Sequence, residues 1–273
     1  MLTRRHSISP PSARSLLLTV LGELVLPADG PVWTSALLHV LDGLGVEEKS
    51  ARQAIARTAA DGWITSARDG RRVRWVLASR GRELLTQGAA RIYSTAGPQA
   101  DWDGTWLVVL ASVPETQRRM RHQLQTRLAW AGLGNPTAGL WVSPHPERSA
   151  EVNLIITELG LESAALSFVG PYGRIGSEAA LVSRAWDLDD VAAHYARFLA
   201  EFTDENPGSG DASMFAAIRL VHAWRRFPFL DPGLPDKLLP QGWIGHRARA
   251  LFDDKHATWS TEARRRWAEL IAD

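Results

Sequence analysis

At 273 residues, with 45% hydrophobic and 22% charged side chains, the chain is long enough for two or three small cores, and its composition excludes wholesale disorder. It has no cysteine, which excludes disulfides and thiolate chemistry and makes a reducing compartment the default. Net charge is only +1, yet residues 1–100 hold 13 Lys and Arg against 8 Asp and Glu, while the rest hold 18 against 22. A basic front on a mildly acidic body suits a nucleic-acid-binding head joined to a body with another task.

Arg4 and Arg5 precede a polar, proline-broken stretch where a signal peptide would need its apolar core. The best apolar run, Leu16 to Leu26, is interrupted by Glu23 and falls far short of the roughly 20 residues of a membrane span. A cytoplasmic protein away from membranes is expected. From Ser12 or Ala13, apolar Leu16, Leu17, Val20, Leu21 and Leu24 make one helical face, stopped by Pro27, Asp29, Gly30 and Pro31. Thr34 is the expected N-cap of a short second helix with Leu37, Leu38 and Leu41, ended by Gly43 and Gly45. A third helix opens at Glu47 and Glu48, where acidic side chains favour the positive helix end. It should bury Ala51, Ile55 and Thr58 or Ala59, and stop at Asp61-Gly62.

Trp63 to Ala67 and Val73 to Leu77 are β-rich runs about an Asp69-Gly70 turn, which predicts a hairpin with a basic tip. Three helices followed by such a hairpin is the winged helix-turn-helix order. Ser79 to Ile92 predicts a helix, and Ser94 to Ala100 a linker. Trp106–Leu110, Gly139–Ser143 and Ala164–Val169 are expected strands, separated by helices over Pro114–Leu128 and Val152–Leu159. That alternation suggests a ferredoxin-like unit. From Asp187 onward the pattern is helical. The expected fold is therefore α+β in three domains: a winged-helix DNA-binding domain at 1–94, a ferredoxin-like domain at 101–186 and a helical domain at 187–273.

Several stretches resemble the PaaX family of phenylacetate-degradation repressors: Ser50-Ala51-Arg52-Gln53-Ala54-Ile55-Ala56-Arg57 with Asp61-Gly62-Trp63, Leu124 to Trp141 continuing to Pro144, Phe227-Pro228-Phe229-Leu230-Asp231-Pro232-Gly233-Leu234-Pro235, and Leu238 to Gly245. They stand in the family's order over nearly the whole chain. The resemblance implies a winged helix, a central domain shaped like the small CRISPR-associated ferredoxin-like nucleases, and a helical C-terminal region. It also implies a homodimer that represses catabolic genes on double-stranded operator DNA until an aryl-CoA thioester, phenylacetyl-CoA in the founding members, releases it.

If the third helix packs through Ala51, Ile55 and Ala59, its outer face shows Lys49, Arg52, Gln53, Ala56 and Arg57. Residues near a helix N-terminus reach base edges in the major groove. Arg52 and Gln53 are therefore assigned to bases, and Lys49, Ser50 and Arg57 to phosphates. Arg68, Arg71 and Arg72 at the hairpin tip suit the minor groove or its flanking phosphates; the plainer alternative for both sets is solvated surface. The row Arg118, Arg119, Arg121 and Arg127 fits a solvated helix face or dimer contact better than a phosphate site. Of the twelve tryptophans, Trp106, Trp141, Trp224 and Trp243 could wall an apolar pocket for an aromatic acyl group, with His222 and Arg225 beside it, although for any one of them filling a small core is the better reading.

Enzyme motifs are missing. The histidines show no metal-ligand spacing, no G-x-S-x-G or dinucleotide fingerprint is present, and Asp187, Asp189 and Asp190 are explained as helix caps. No catalytic residue, metal or cofactor is expected. The rivals are a metal-dependent nuclease using a central carboxylate such as Asp103, and an adaptor whose winged helix contacts protein.

Overall fold

The computed structural model describes residues 12–70, 72–93 and 102–272. The chain forms two compact units. One gathers residues up to 94 with 200–225 and 249–273, and the other holds 95–199 and 226–248. The helical segment after 187 thus contributes to both.

In the first unit, α1 (Ala13–Val20) starts where the sequence predicts, with the Ser12 hydroxyl accepting from the Ser15 amide at 3.1 Å. The helix does not run on regularly. A π-helical turn over Leu21–Val25 leads into α2 (Leu26–Ala28), where Pro27 needs no amide partner, and Asp29 leaves in a left-handed conformation. A two-residue strand β1 (Val32–Trp33), absent from the sequence reading, precedes α3 (Thr34–Gly43). Thr34 is the first helical residue and not its cap. Its hydroxyl donates to the Val73 carbonyl and accepts from the Trp75 indole, so it joins α3 to the hairpin.

Gly43 ends α3 where any Cβ would strike the Phe215 ring. Next comes α4 (Glu48–Ala60), then the hairpin of β2 (Ile64–Asp69) and β3 (Arg72–Leu77). The pairing of Asp69 with Arg72 carries the strands further into the turn than the apolar pattern indicates. β1 adds to the far side of β3, giving the antiparallel order β1-β3-β2. α5 (Ser79–Tyr93) follows, and Gly81 in its first turn lies against the Trp63 carbonyl, where a side chain would collide.

The second unit begins with β4 (Thr105–Ala111), α6 (Arg118–Trp130), β5 (Gly134–Thr137), β6 (Leu140–Ser143), α7 (Ser149–Glu158) and β7 (Ala165–Pro171). The sheet order is β5-β6-β4-β7, every neighbour antiparallel, which is a βαββαβ unit. β5 was not predicted, and α6 starts at Arg118 because Pro114 and Glu115 form a turn before it. Leu107, Val109 and Trp141 face Leu124, Leu128 and Ile155 on one side of the sheet. Trp106 and Val142 face Trp102, Val182 and Leu234 on the other. α8 (Glu178–Ala185) and α9 (Leu188–Phe202) follow, with Asp187 capping α9 by accepting from the Asp190 amide at 3.0 Å.

The last three residues of α9 belong to the first unit, as does α10 (Asp211–Trp224). α11 (Phe227–Leu230) lies in the second unit. α12 (Ile244–Ala272) starts there and supplies the first unit from Arg249. Among the described residues no helix is long and apolar enough to cross a membrane.

Candidate nucleic-acid interface

α4 is amphipathic through small side chains. Ala51, Ala54, Ile55 and Thr58 are buried, and Thr58 satisfies its hydroxyl by donating to the Ala54 carbonyl at 2.8 Å. The inward set includes Ala54 and leaves Ala59 half-buried. The opposite face presents Lys49, Ser50, Arg52, Gln53, Ala56 and Arg57 to solvent. Arg52 donates to Glu48 one turn earlier on the same helix, from Nε at 2.8 Å and Nη2 at 2.6 Å.

The end of α4 is tied back to α1 by an ion pair between Arg14 and Asp61, and the Arg14 guanidinium lies 4.6 Å from the Trp63 ring centre. Arg68 and Arg72 are exposed near the hairpin tip; Arg71 lies outside the described residues. Arg72 and Arg74 extend over the Trp33 ring, at 5.5 and 4.0 Å, so β1 braces the basic side chains of β3.

A cleft of about 690 Å³ opens between these elements, lined among others by Trp33, Thr34, Ser35, His39, Arg52 and Arg72. It brings one arginine of α4 and one of the hairpin to a single concavity, beside hydroxyls at the start of α3. The sequence places Arg52 on a helix and Arg72 on a hairpin, and only the fold brings them to one cleft.

Two clusters that the sequence does not disclose hold the π-helical turn and α1. Glu23, inside the π-helical turn, accepts from the Tyr93 hydroxyl of α5 and faces His256 Nε2 of α12 at 3.3 Å. Burial first, then the Glu23 charge, push the Tyr93 phenol far above its usual pKa. Arg225 donates to the Ser15 carbonyl and hydroxyl and to the Thr19 hydroxyl, which also meets His222 Nδ1 at 3.0 Å. Burial lowers the Arg225 pKa.

The residues expected to line an effector pocket are placed otherwise. Trp106 and Trp141 are buried on opposite faces of the central sheet, because strand neighbours alternate, so one ligand cannot lie against both. The Trp106 indole donates to Glu178 at 2.9 Å. Trp224 stacks on Phe252 at 4.5 Å, and Trp243 meets Tyr195 edge-on at 6.2 Å. His222 and Arg225 hold α1, as above. Asp103, the carboxylate named for a nuclease, accepts from the Thr105 amide at 2.8 Å in the turn before β4, and that bond lowers its pKa. Among the described residues no three His, Asp or Glu side chains are grouped to hold a metal ion.

The chain is 30% identical over 260 residues to the transcriptional repressor PaaX of Escherichia coli strain K12, covering 90% of this chain and 81% of the relative. The chain belongs to the PaaX family. Residues 12–81 match the PaaX-like protein family, 99–182 the PaaX central Cas2-like domain, and 186–269 the PaaX-like C-terminal domain. A solved structure, of an uncharacterised Mycobacterium tuberculosis protein, shares the fold with a TM-score of 0.66 at 21% identity, covering 96% of this chain and 99% of that one. The two compact units cut across the third segment.

Proposed function

We propose that this protein is a transcriptional repressor whose first unit carries a winged helix-turn-helix that reads double-stranded operator DNA. The observation that carries the reading is the convergence of Arg52 and Arg72 on one cleft beside an α4 face made wholly of exposed polar, basic and small side chains. α4 is the recognition helix. Arg52 and Gln53 meet base edges, while Lys49, Ser50 and Arg57 grip phosphates. Arg68, Arg71 and Arg72 lie along the adjoining backbone or minor groove. The repressor relative supports the same reading.

The protein works in the cytoplasm as a homodimer, two α4 helices entering major grooves about 34 Å, or a multiple of that, apart. The outer strand β7 offers Leu166, Phe168 and Val169, all more than half exposed, as apolar surface for a second copy. An aryl-CoA thioester such as phenylacetyl-CoA releases the DNA by binding better to an arrangement that does not fit the operator. Three segments divide these tasks: DNA reading at 1–94, the βαββαβ domain at 101–186 and the helical domain at 187–273.

Fluorescence anisotropy on the promoter region upstream of the protein's own gene tests the reading. Affinity should fall steeply with salt, since phosphate contacts release counterions, and phenylacetyl-CoA should release the complex. Absence of binding, or binding indifferent to salt, would remove the DNA-reading claim; binding indifferent to every thioester would remove the effector claim alone.

A further inference from the structure

In the second unit His194, nearly two turns into α9 and buried, takes two arginines on one atom. Arg197 Nη2 lies 2.7 Å and Arg226 Nη2 lies 2.9 Å from His194 Nδ1. Both guanidiniums can only donate, so Nδ1 is the acceptor and the ring proton sits on Nε2, which faces the Asp190 carboxylate at 3.6 Å. One ring lone pair cannot satisfy two forks. Among the described residues neither Arg197 nor Arg226 has an ion pair or another hydrogen bond. With the imidazole neutral, the two guanidiniums carry positive charge on one side of the ring, and the largely exposed carboxylate of Asp190 faces the other.

Stacked rings and a hydrogen bond surround the cluster. Arg226 precedes Phe227, whose ring lies flat on Tyr195 at 4.2 Å and edge-on to Phe198, both on α9. Tyr195 is anchored in turn by donating to Asp231 at 2.7 Å. Like charges held together by stacked neighbours form a fixed concentration of positive potential, with N–H donors left over. Burial, and then Arg197, lower the Arg226 pKa, as expected of a guanidinium short of an anion.

We infer that Arg197 and Arg226 form a binding site for a phosphoryl group, with His194 and Asp190 setting the angle between the two guanidiniums. A tetrahedral oxyanion presents enough acceptor oxygens for both forks at once and supplies the missing negative charge. Free inorganic phosphate and the phosphorylated end of CoA both carry this chemistry. Choosing CoA as the bearer rests on the effector reading; capture of a phosphoryl group does not.

The test is calorimetry on the full chain at constant ionic strength with CoA, dephospho-CoA and inorganic phosphate. CoA should bind, phosphate should compete with it, and the double substitution Arg197→Gln, Arg226→Gln should weaken CoA by tenfold or more. If phosphate binds as tightly as CoA and both are lost in the variant, the site stands and its ligand is the free ion. Unchanged binding in the variant, or no binding of any of the three to the wild type, overturns the inference.

Promoter DNA is titrated in parallel. Loss of DNA affinity with CoA binding intact would make the cluster a DNA contact and also overturn it. A wild type that binds CoA through these arginines but no DNA would instead sink the repressor reading. Should the double variant misfold, Arg197→Gln alone, at an exposed position, must still weaken binding. Phenylglyoxal labelling of Arg197 and Arg226 in the wild type, read by peptide mass, must then be slowed by CoA or phosphate; equal labelling rates would overturn the site.

Discussion

Arg52 rests on Glu48 with both side chains more than half exposed, at 57% and 66%. A helical pair of this kind in water contributes only about 0.3–0.5 kcal/mol, so if Arg52 reads a base as proposed, exchanging Glu48 for a base edge would cost little. Arg52→Ala should weaken operator binding by about 1–3 kcal/mol, read as a shifted anisotropy midpoint. Glu48→Gln should leave affinity equal or tighter; a loss matching that of Arg52→Ala would mean that Glu48 itself aims the guanidinium. Tyr93 supplies a second residue-scale prediction. Its phenol pKa is raised in the folded state, so its contribution to stability is complete below the ordinary tyrosine value of about 10 and is lost as pH rises above it. Urea unfolding between about pH 8 and 11 should show a steeper alkaline decline for wild type than for Tyr93→Phe. At neutral pH the substitution should cost about 1–2 kcal/mol, because Glu23 loses a donor.

Between elements, the start of α10 is held by side chains of α12. Glu262 accepts from the Gly210 amide at 3.0 Å, and Arg266 Nε donates to Asp211 at 2.7 Å, while Asp211 also meets His39 of α3 at 2.8 Å. The Arg265 hydrogen bond first, then the Gly210 amide, bring the Glu262 pKa down to about 2, and Arg266 above all lowers that of Asp211. Depressed carboxylate values mean stability that is full above the ordinary carboxylate range and is lost as pH falls towards about 2. Glu262→Gln should flatten the acid limb of a stability–pH curve measured by urea unfolding; an unaltered limb would show that the contact contributes nothing in solution.

The same elements show what could be read beforehand. α1, α4 and the hairpin were legible because each repeats its apolar spacing over several residues. β1 has two residues and β5 four, with Pro136 inside, too few for any period to show. The π-helical turn leaves the same apolar spacing as an unbroken helix. The exposed face of α4 followed from its buried face, whereas the tryptophans gave no such guidance, since an aromatic count does not say which face of a sheet each joins. The sequence points to Arg225 beside His222, yet Arg226 is the residue that joins Arg197, 29 positions earlier, on the His194 ring, a proximity only the fold creates.

At the scale of the molecule, the unit that contains α4 is assembled from three stretches of chain. Arg225 and His222 secure α1, Asp211 meets α3, and His256 and Phe252 close on Glu23 and Tyr93. Residues 1–94 alone should therefore be less stable than the same unit in the full chain, by several kcal/mol for the buried polar and aromatic contacts removed. Parallel denaturation of the fragment and the full protein measures this, and equal midpoints would refute it.

That interleaving also sets an order of events during synthesis. The stretch carrying α4 leaves the ribosome early, but its partners at 249–272 emerge only after some 150 further residues, by which time the other unit has all its parts through residue 248. The unit that contains α4 is therefore completed after the rest of the chain; on the proposed function, a chain cut short before α12 ends would lack a fully stabilised operator-reading unit.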